Sequence, residues 1–188
     1  MSLAYQHTEW ITPEEYLSAE LNSECRHEYL GGHMYAMAGA SEEHNIIALN
    51  IASALHIALR GKPCRAFIND MKVKIDRIGR DVYYYPDVMV SCGPQGESRY
   101  FKIDPTVIFE VLSPETESID RREKYFSYTS IDTLQSYILM EQTKIGATIF
   151  RRAGTEWQTE TLNRLDEILR LESLQIELPL STIYERVF

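Results

Sequence analysis

The apolar positions change period several times along the chain, and the changes mark its elements. Between residues 42 and 60, Ile47, Ile51, Leu55 and Ala58 recur at helical spacing, with Ser41 as a cap and Gly61 and Pro63 as stops. An earlier helix opens at Thr12-Pro13-Glu14-Glu15, where Thr12 suits the N-cap and Glu15 completes a capping box. Two β-prone runs, 26–30 and 33–37, flank Gly31-Gly32 and predict a hairpin. Beyond Pro63 the pattern turns to strands. Residues 64–69 and 71–75 form one bent strand or two, 82–91 a further strand, and 106–112 a third that is nearly all apolar. A helix over 119–130 follows, then a strand over 136–140. A hairpin joins 147–152 and 157–161 over Ala153-Gly154, and a short helix spans 180–186. Residues 92–105 read as a Gly/Pro/Ser-containing loop. This mixed order, with no internal repeat or linker, predicts one α/β (mixed α+β) domain over 1–188, a mixed sheet flanked by helices.

Composition narrows the picture. The chain has 188 residues, 44% hydrophobic and 25% charged, which are globular values. Its net charge of −9 argues against a protein that coats nucleic acid. The charge is uneven. Residues 1–59 hold one Arg against eight acids, whereas 60–80 hold Arg60, Lys62, Arg65, Lys72, Lys74, Arg77 and Arg80 against Asp70 and Asp76. That basic segment either lines one face or is an ordinary solvated surface. Cys25, Cys64 and Cys92 are widely spaced and odd in number, which predicts three reduced thiols. The apolar run 46–59 is interrupted by Asn50, Ser53 and His56, so no membrane span is expected. The opening MSLAYQHTEW lacks the basic and apolar regions of a signal peptide, which makes the cytoplasm the default location.

Two carboxylates call for a chemical explanation. Glu110 lies inside Val107-Ile108-Phe109-Glu110-Val111-Leu112, where an ionised group is costly unless paired or bound to a metal. Asp87 stands between Pro86 and Val88-Met89-Val90, far enough ahead of Glu110 for a strand, a loop and a returning strand. On antiparallel neighbours the two would face each other, a hard-oxygen pair suited to Mg²⁺ or Mn²⁺. The bland alternatives are an Asp that starts a turn and a Glu on a solvated edge. Asp120, Lys124 and Tyr128 share one face of the next helix, where Asp120 and Lys124 also have ordinary ion-pair spacing. His44, in the first turn of the long helix, is a ligand, a general base or a capping residue. Glu28, in the first hairpin, is weighed in the same way. Tyr83-Tyr84-Tyr85 fits bases to stack on or, more simply, a core-facing strand. Phosphate-binding glycine loops, the GxSxG elbow and HExxH are absent from the sequence.

Taken together these residues resemble the Uma-two family of restriction-endonuclease-like proteins, within the PD-(D/E)XK nuclease superfamily. The matching pieces are Thr12-Pro13-Glu14-Glu15-Tyr16-Leu17, Glu28-Tyr29-Leu30-Gly31-Gly32, Met37-Ala38-Gly39-Ala40-Ser41 with His44, and Pro86-Asp87-Val88. Phe109 through Thr116, Asp120 with Lys124 and Tyr128, and Leu178-Pro179-Leu180 complete them. The resemblance implies an α-β-β-β-α-β core with extra terminal hairpins. It implies that Asp87 and Glu110 bind Mg²⁺ or Mn²⁺ with the backbone carbonyl of Val111. It also implies a homodimer acting on DNA. The superfamily lysine two residues after the acid is Leu112 here, so the resemblance moves that role to Lys124, with Lys72 and Lys74 as rivals. The tryptophan often found in the family's next strand is Ile138, and its partner acid is Ser136. The expected function is metal-dependent hydrolysis of DNA phosphodiesters. The alternatives are a catalytically silent nuclease-fold module with a binding or regulatory role, and a metal-dependent enzyme acting on a smaller nucleotide.

Overall fold

The computed structural model describes residues 10–76, 79–93, 98–114 and 116–188. The opening decapeptide up to Glu9, Arg77 of the basic segment and Glu115 of the 109–116 motif lie outside them, as do residues 94–97 of the loop. Helix α1 (Pro13–Glu20) starts with the expected capping box, in which Thr12 and Glu15 satisfy each other's backbone N–H groups. Strands β1 (His27–Leu30) and β2 (His33–Ala36) pair over Gly31 and Gly32, both at positive φ, the region where a β-carbon is penalised. Helix α2 (Glu42–Ala58) is capped by Ser41 and buries Ile47, Ile51 and Leu55.

Next comes a long two-stranded ribbon that belongs to two sheets. Strands β3 (Arg65–Ile68) and β4 (Lys72–Asp76) run out, and β5 (Asp81–Tyr84) and β6 (Val88–Ser91) return antiparallel to them. Near the bend Asn69 takes φ 52°, and its N–H still donates to the Asp87 carbonyl at 3.0 Å. The register shifts by one residue between the two halves, a bulge that bends the ribbon from one sheet into the other. The strand expected over 82–91 is therefore two strands. Pro86, which has no N–H for a ladder, sits at the break. Strand β7 (Phe101–Lys102) lies within the expected 92–105 loop and pairs parallel with β4.

Strand β8 (Pro105–Leu112) leads into a helical segment made of α3 (Glu117–Ile119), a π-helical turn (Asp120–Lys124) and α4 (Tyr125–Thr129). Strands β9 (Ser136–Glu141), β10 (Ala147–Ala153) and β11 (Glu156–Leu162) follow. The chain then adds a hairpin that the sequence pattern did not predict, β12 (Ile168–Leu171) with β13 (Ile176–Pro179), and ends with helix α5 (Leu180–Ile183).

The larger sheet has the order β11-β10-β9-β8-β6-β3, with β8 and β9 parallel and the other pairs antiparallel. The smaller has the order β2-β1-β5-β4-β7. Alternation along each strand separates three cores. Val107, Phe109 and Val111 face α2, α5 and the last hairpin. Ile108 and Leu112 face the opposite way and pack with Val73, Tyr84 and Tyr128 between the sheets. Tyr16, Tyr29 and Tyr83 fill the space between α1 and the far face of the smaller sheet. This mixed α+β architecture is the fold class expected. The tyrosine run is buried throughout, so it is core and not a stacking platform.

The three reduced thiols expected are not what the structure holds. Cys64 and Cys92 are joined in a disulfide. They lie one position beyond the Arg65–Ser91 pair of β3 and β6, so they oppose each other despite 28 intervening steps of sequence. Only Cys25 is a free thiol. The basic segment does not form a single face either, because the ribbon bend divides it between the two sheets. Lys72 is buried, Lys74 pairs with Asp81 at 2.9 Å, and Lys62 donates to the Leu174 carbonyl. Among the described residues, no helix is long and apolar enough to cross a membrane.

Candidate active site

The ribbon bend and β8 bring the two expected carboxylates together. Val88 pairs with Phe109, so extending that antiparallel register sets Asp87 opposite Glu110. Both side chains fall on the face of β8 that looks between the sheets, because residues opposite each other point the same way. Asp87 lies at the solvent edge and Glu110 is buried. Asp87 Oδ2 accepts from the Val111 N–H at 2.7 Å and meets His44 Nε2 at 3.2 Å. Burial pulls His44 down, but Asp87 outweighs it and holds the imidazole above its ordinary value.

Lys124 reaches the same place from the π-helical turn. Its Nζ lies 3.0 Å from Glu28 Oε1, 3.2 Å from Glu110 Oε1 and 3.3 Å from Asp120 Oδ1, and 5.5 Å from the Tyr84 ring centroid. Tyr128 O–H donates to Glu110 Oε1 at 2.9 Å, and Tyr137 O–H donates to the Asp120 carbonyl. Burial works against the ammonium, but three carboxylates overcome it and hold Lys124 charged well above its ordinary value. Glu110 is pushed upward, first by burial and then by Asp120, Asp87 and Glu28, while Lys124 opposes the rise. One ammonium cannot neutralise so many anions.

Eight of the residues singled out from sequence therefore meet here, six of them being Glu28, Asp87, Glu110, Asp120, Lys124 and Tyr128. His44 and the Val111 backbone join them. Lys72 and Lys74 do not. They alternate with Val73 and Ile75 on β4, so they lie on the far face of the smaller sheet, over the rings of Tyr85 and Tyr83. Leu112 is buried in the apolar layer between the sheets, two residues after Glu110 on the same side. Ile138 and Ser136 are buried within β9, and Ile138 packs in the core that faces α2.

The donor set suits a hard divalent cation. It consists of carboxylate oxygens and backbone, with four carboxylates against one lysine and one histidine. Glu28 Oε1 and Asp120 Oδ1 are buried and accept no well-formed hydrogen bond, although both lie near Lys124 Nζ. Among the described residues, no three acidic, His or Cys side chains converge on one point at metal-ligand spacing, because Lys124 stands between them. Mg²⁺ commonly takes only one or two protein carboxylates and keeps several waters, so the exposed Asp87 side of the pair meets that requirement.

In structure the chain is similar to a "putative nuclease belonging to DUF820" from Anabaena variabilis ATCC 29413, with TM-score 0.77 and 19% identity over 95% of this chain and 99% of that one. Residues 13–182 match the model of the Uma2 family, described as "Putative restriction endonuclease". The chain belongs to the Uma2 family. It is 32% identical over 176 residues to uncharacterized protein slr1290 of Synechocystis, covering 93% of this chain and 91% of that protein. It is 31% identical over 138 residues to sll1609 of the same organism, covering 72% and 77%.

Proposed function

We propose that the protein is a metal-dependent endonuclease that hydrolyses phosphodiester bonds of DNA. The observation that carries this reading is the shared Lys124. A buried cluster with more carboxylates than cations, two of its oxygens unsatisfied, stands beside a solvent-edged aspartate. The family description and the similar nuclease fold support the nuclease class, and the acidic pair supports the metal. Asp87 and Glu110 would hold Mg²⁺ or Mn²⁺ with the Val111 carbonyl. A divalent ion bound there supplies a water of lowered pKa and Lewis acidity toward the scissile phosphate.

The chain's own residues do the rest. Val111 N–H and His44 fix the orientation of the Asp87 carboxylate. Tyr128 fixes Glu110 by donating to Oε1. Lys124 is held rigidly by three carboxylates and presents positive charge where a phosphate's charge would grow. Substrate would enter from the Asp87 side, since Glu110 and Lys124 are buried. As a homodimer, the protein would set one such site against each strand of a duplex.

The test is cleavage of supercoiled plasmid DNA in millimolar Mn²⁺ by the wild type and by Asp87→Asn and Lys124→Met, each checked for folding by circular dichroism. Nicking by the wild type that chelator abolishes and Asp87→Asn loses is the expected result. Cleavage that survives Asp87→Asn rejects the assignment. Mn²⁺ binding without cleavage selects the catalytically silent module, which the apolar Leu112 position would suit.

A further inference from the structure

A second polar cluster lies on the opposite face of the smaller sheet, and the nuclease reading uses none of it. Cys25 is exposed, and its Sγ lies 3.4 Å from His27 Nε2. His27 Nδ1 lies 3.1 Å from Glu20 Oε2, and the Glu20 side chain is 1% exposed. Glu20 Oε1 accepts from both the His27 backbone N–H at 2.9 Å and the Tyr85 O–H at 2.8 Å. These contacts define the histidine's tautomer. A carboxylate only accepts, so Nδ1 carries a proton, and in the neutral imidazole Nε2 presents its lone pair to the thiol. Nucleophile, base and orienting acid thus stand in sequence, each within reach of the next. The remaining charged neighbours do not compete. Arg26 is paired with Asp70 at 3.0 Å, Lys72 Nζ lies over the Tyr85 ring at 4.9 Å, and Tyr16 O–H donates to the His27 carbonyl.

We propose that Cys25 is an activated thiol and a covalent modification site for low-molecular-weight disulfides. The Cys25 S–H proton passes to His27 Nε2. The thiolate attacks one sulfur of the disulfide and forms a new S–S bond as the old one breaks. The departing sulfur leaves as a thiolate and takes the proton from His27. The Cys25 sulfur is oxidised and the departing sulfur is reduced, so no further reactant is needed. The Cys64–Cys92 disulfide removes the chain's other two cysteines from competition.

The test uses the native protein with that disulfide intact and the aromatic disulfide known as Ellman's reagent. Its rate is followed from pH 6 to pH 9 beside free glutathione. The wild type should react about ten-fold faster than glutathione at pH 6, since His27 Nε2 stands 3.4 Å from the sulfur, in place to take its proton. His27→Gln should lose about that factor at pH 6 and approach the wild type at pH 9. Cys25→Ser should release no chromophore. The wild-type pH profile decides the matter even if the variants fold poorly. A wild-type rate equal to that of glutathione at pH 6 overturns the proposal, as does a fast rate unchanged in a folded His27→Gln protein. Chromophore release that persists in Cys25→Ser overturns it as well.

Discussion

His27 and Glu28 are neighbours on β1, yet they enter clusters of opposite character on the two faces of one sheet. On the α1 side, Glu20 is satisfied at both oxygens by Tyr85, the His27 backbone and the His27 ring. On the inter-sheet side, Glu28, Glu110 and Asp120 share one ammonium, and two of their oxygens lack hydrogen bonds. A closed network orients its members, as Glu20 orients the His27 ring. An unbalanced one holds charge that something else must meet. A buried carboxylate therefore means different things on the two faces: Glu20 is matched by its partners, whereas the inter-sheet acids outnumber theirs.

Removing a central cation should have the largest effect. Lys124→Met leaves buried carboxylates without their shared partner and should cost about 3–5 kcal/mol in urea unfolding. A loss below 1 kcal/mol would show that the carboxylates already share protons and that the lysine is dispensable to the fold. Next is Glu20→Gln, which turns an acceptor into a donor facing His27 or Tyr85 and should cost about 1–3 kcal/mol. Smaller again is the gain from metal. Mn²⁺ at ten times its Kd adds about 1.4 kcal/mol, or about 3–5 °C in Tm, to the wild type. That gain should vanish in Asp87→Asn, and an equal shift in both proteins would place the ion elsewhere. Smallest is Glu28→Gln, which removes one of the three carboxylates that share Lys124 and should leave stability within about 1 kcal/mol of wild type. If Glu28→Gln costs more than Glu20→Gln, the contrast between the two faces is wrong.

Much of this was legible in the sequence because it rests on local signals. The Thr12 capping box, the Gly31-Gly32 hairpin and the apolar run around Glu110 are all short-range patterns. The facing of Asp87 and Glu110 followed from their separation and an antiparallel assumption, which the Val88–Phe109 register bears out. The meeting of Lys124 with Glu110 needed the family resemblance, because helix spacing alone favours its ion pair with Asp120. What escaped depends on long-range pairing. The opposition of Cys64 and Cys92 follows from the register of β3 with β6. The Cys25–His27–Glu20 contacts follow from the docking of α1 on β1. Pro86 was a usable clue to the break in the 82–91 strand, since an interior ladder position has no place for it. The 168–179 hairpin carried alternation too short to distinguish from loop.

The π-helical turn at Asp120–Lys124 gives the chain an allowance in length. Such a turn holds one residue more than an α-turn of the same rise. A deletion among residues 121–123 can be absorbed by tightening to α-helix, with Asp120 and Lys124 still one turn apart on the same side. The same deletion in β8 ahead of Glu110 reverses every side chain beyond it. The carboxylate would then turn toward the α2 core and an apolar residue would face Asp87. Of these two elements, the helix can absorb a deletion and the strand cannot.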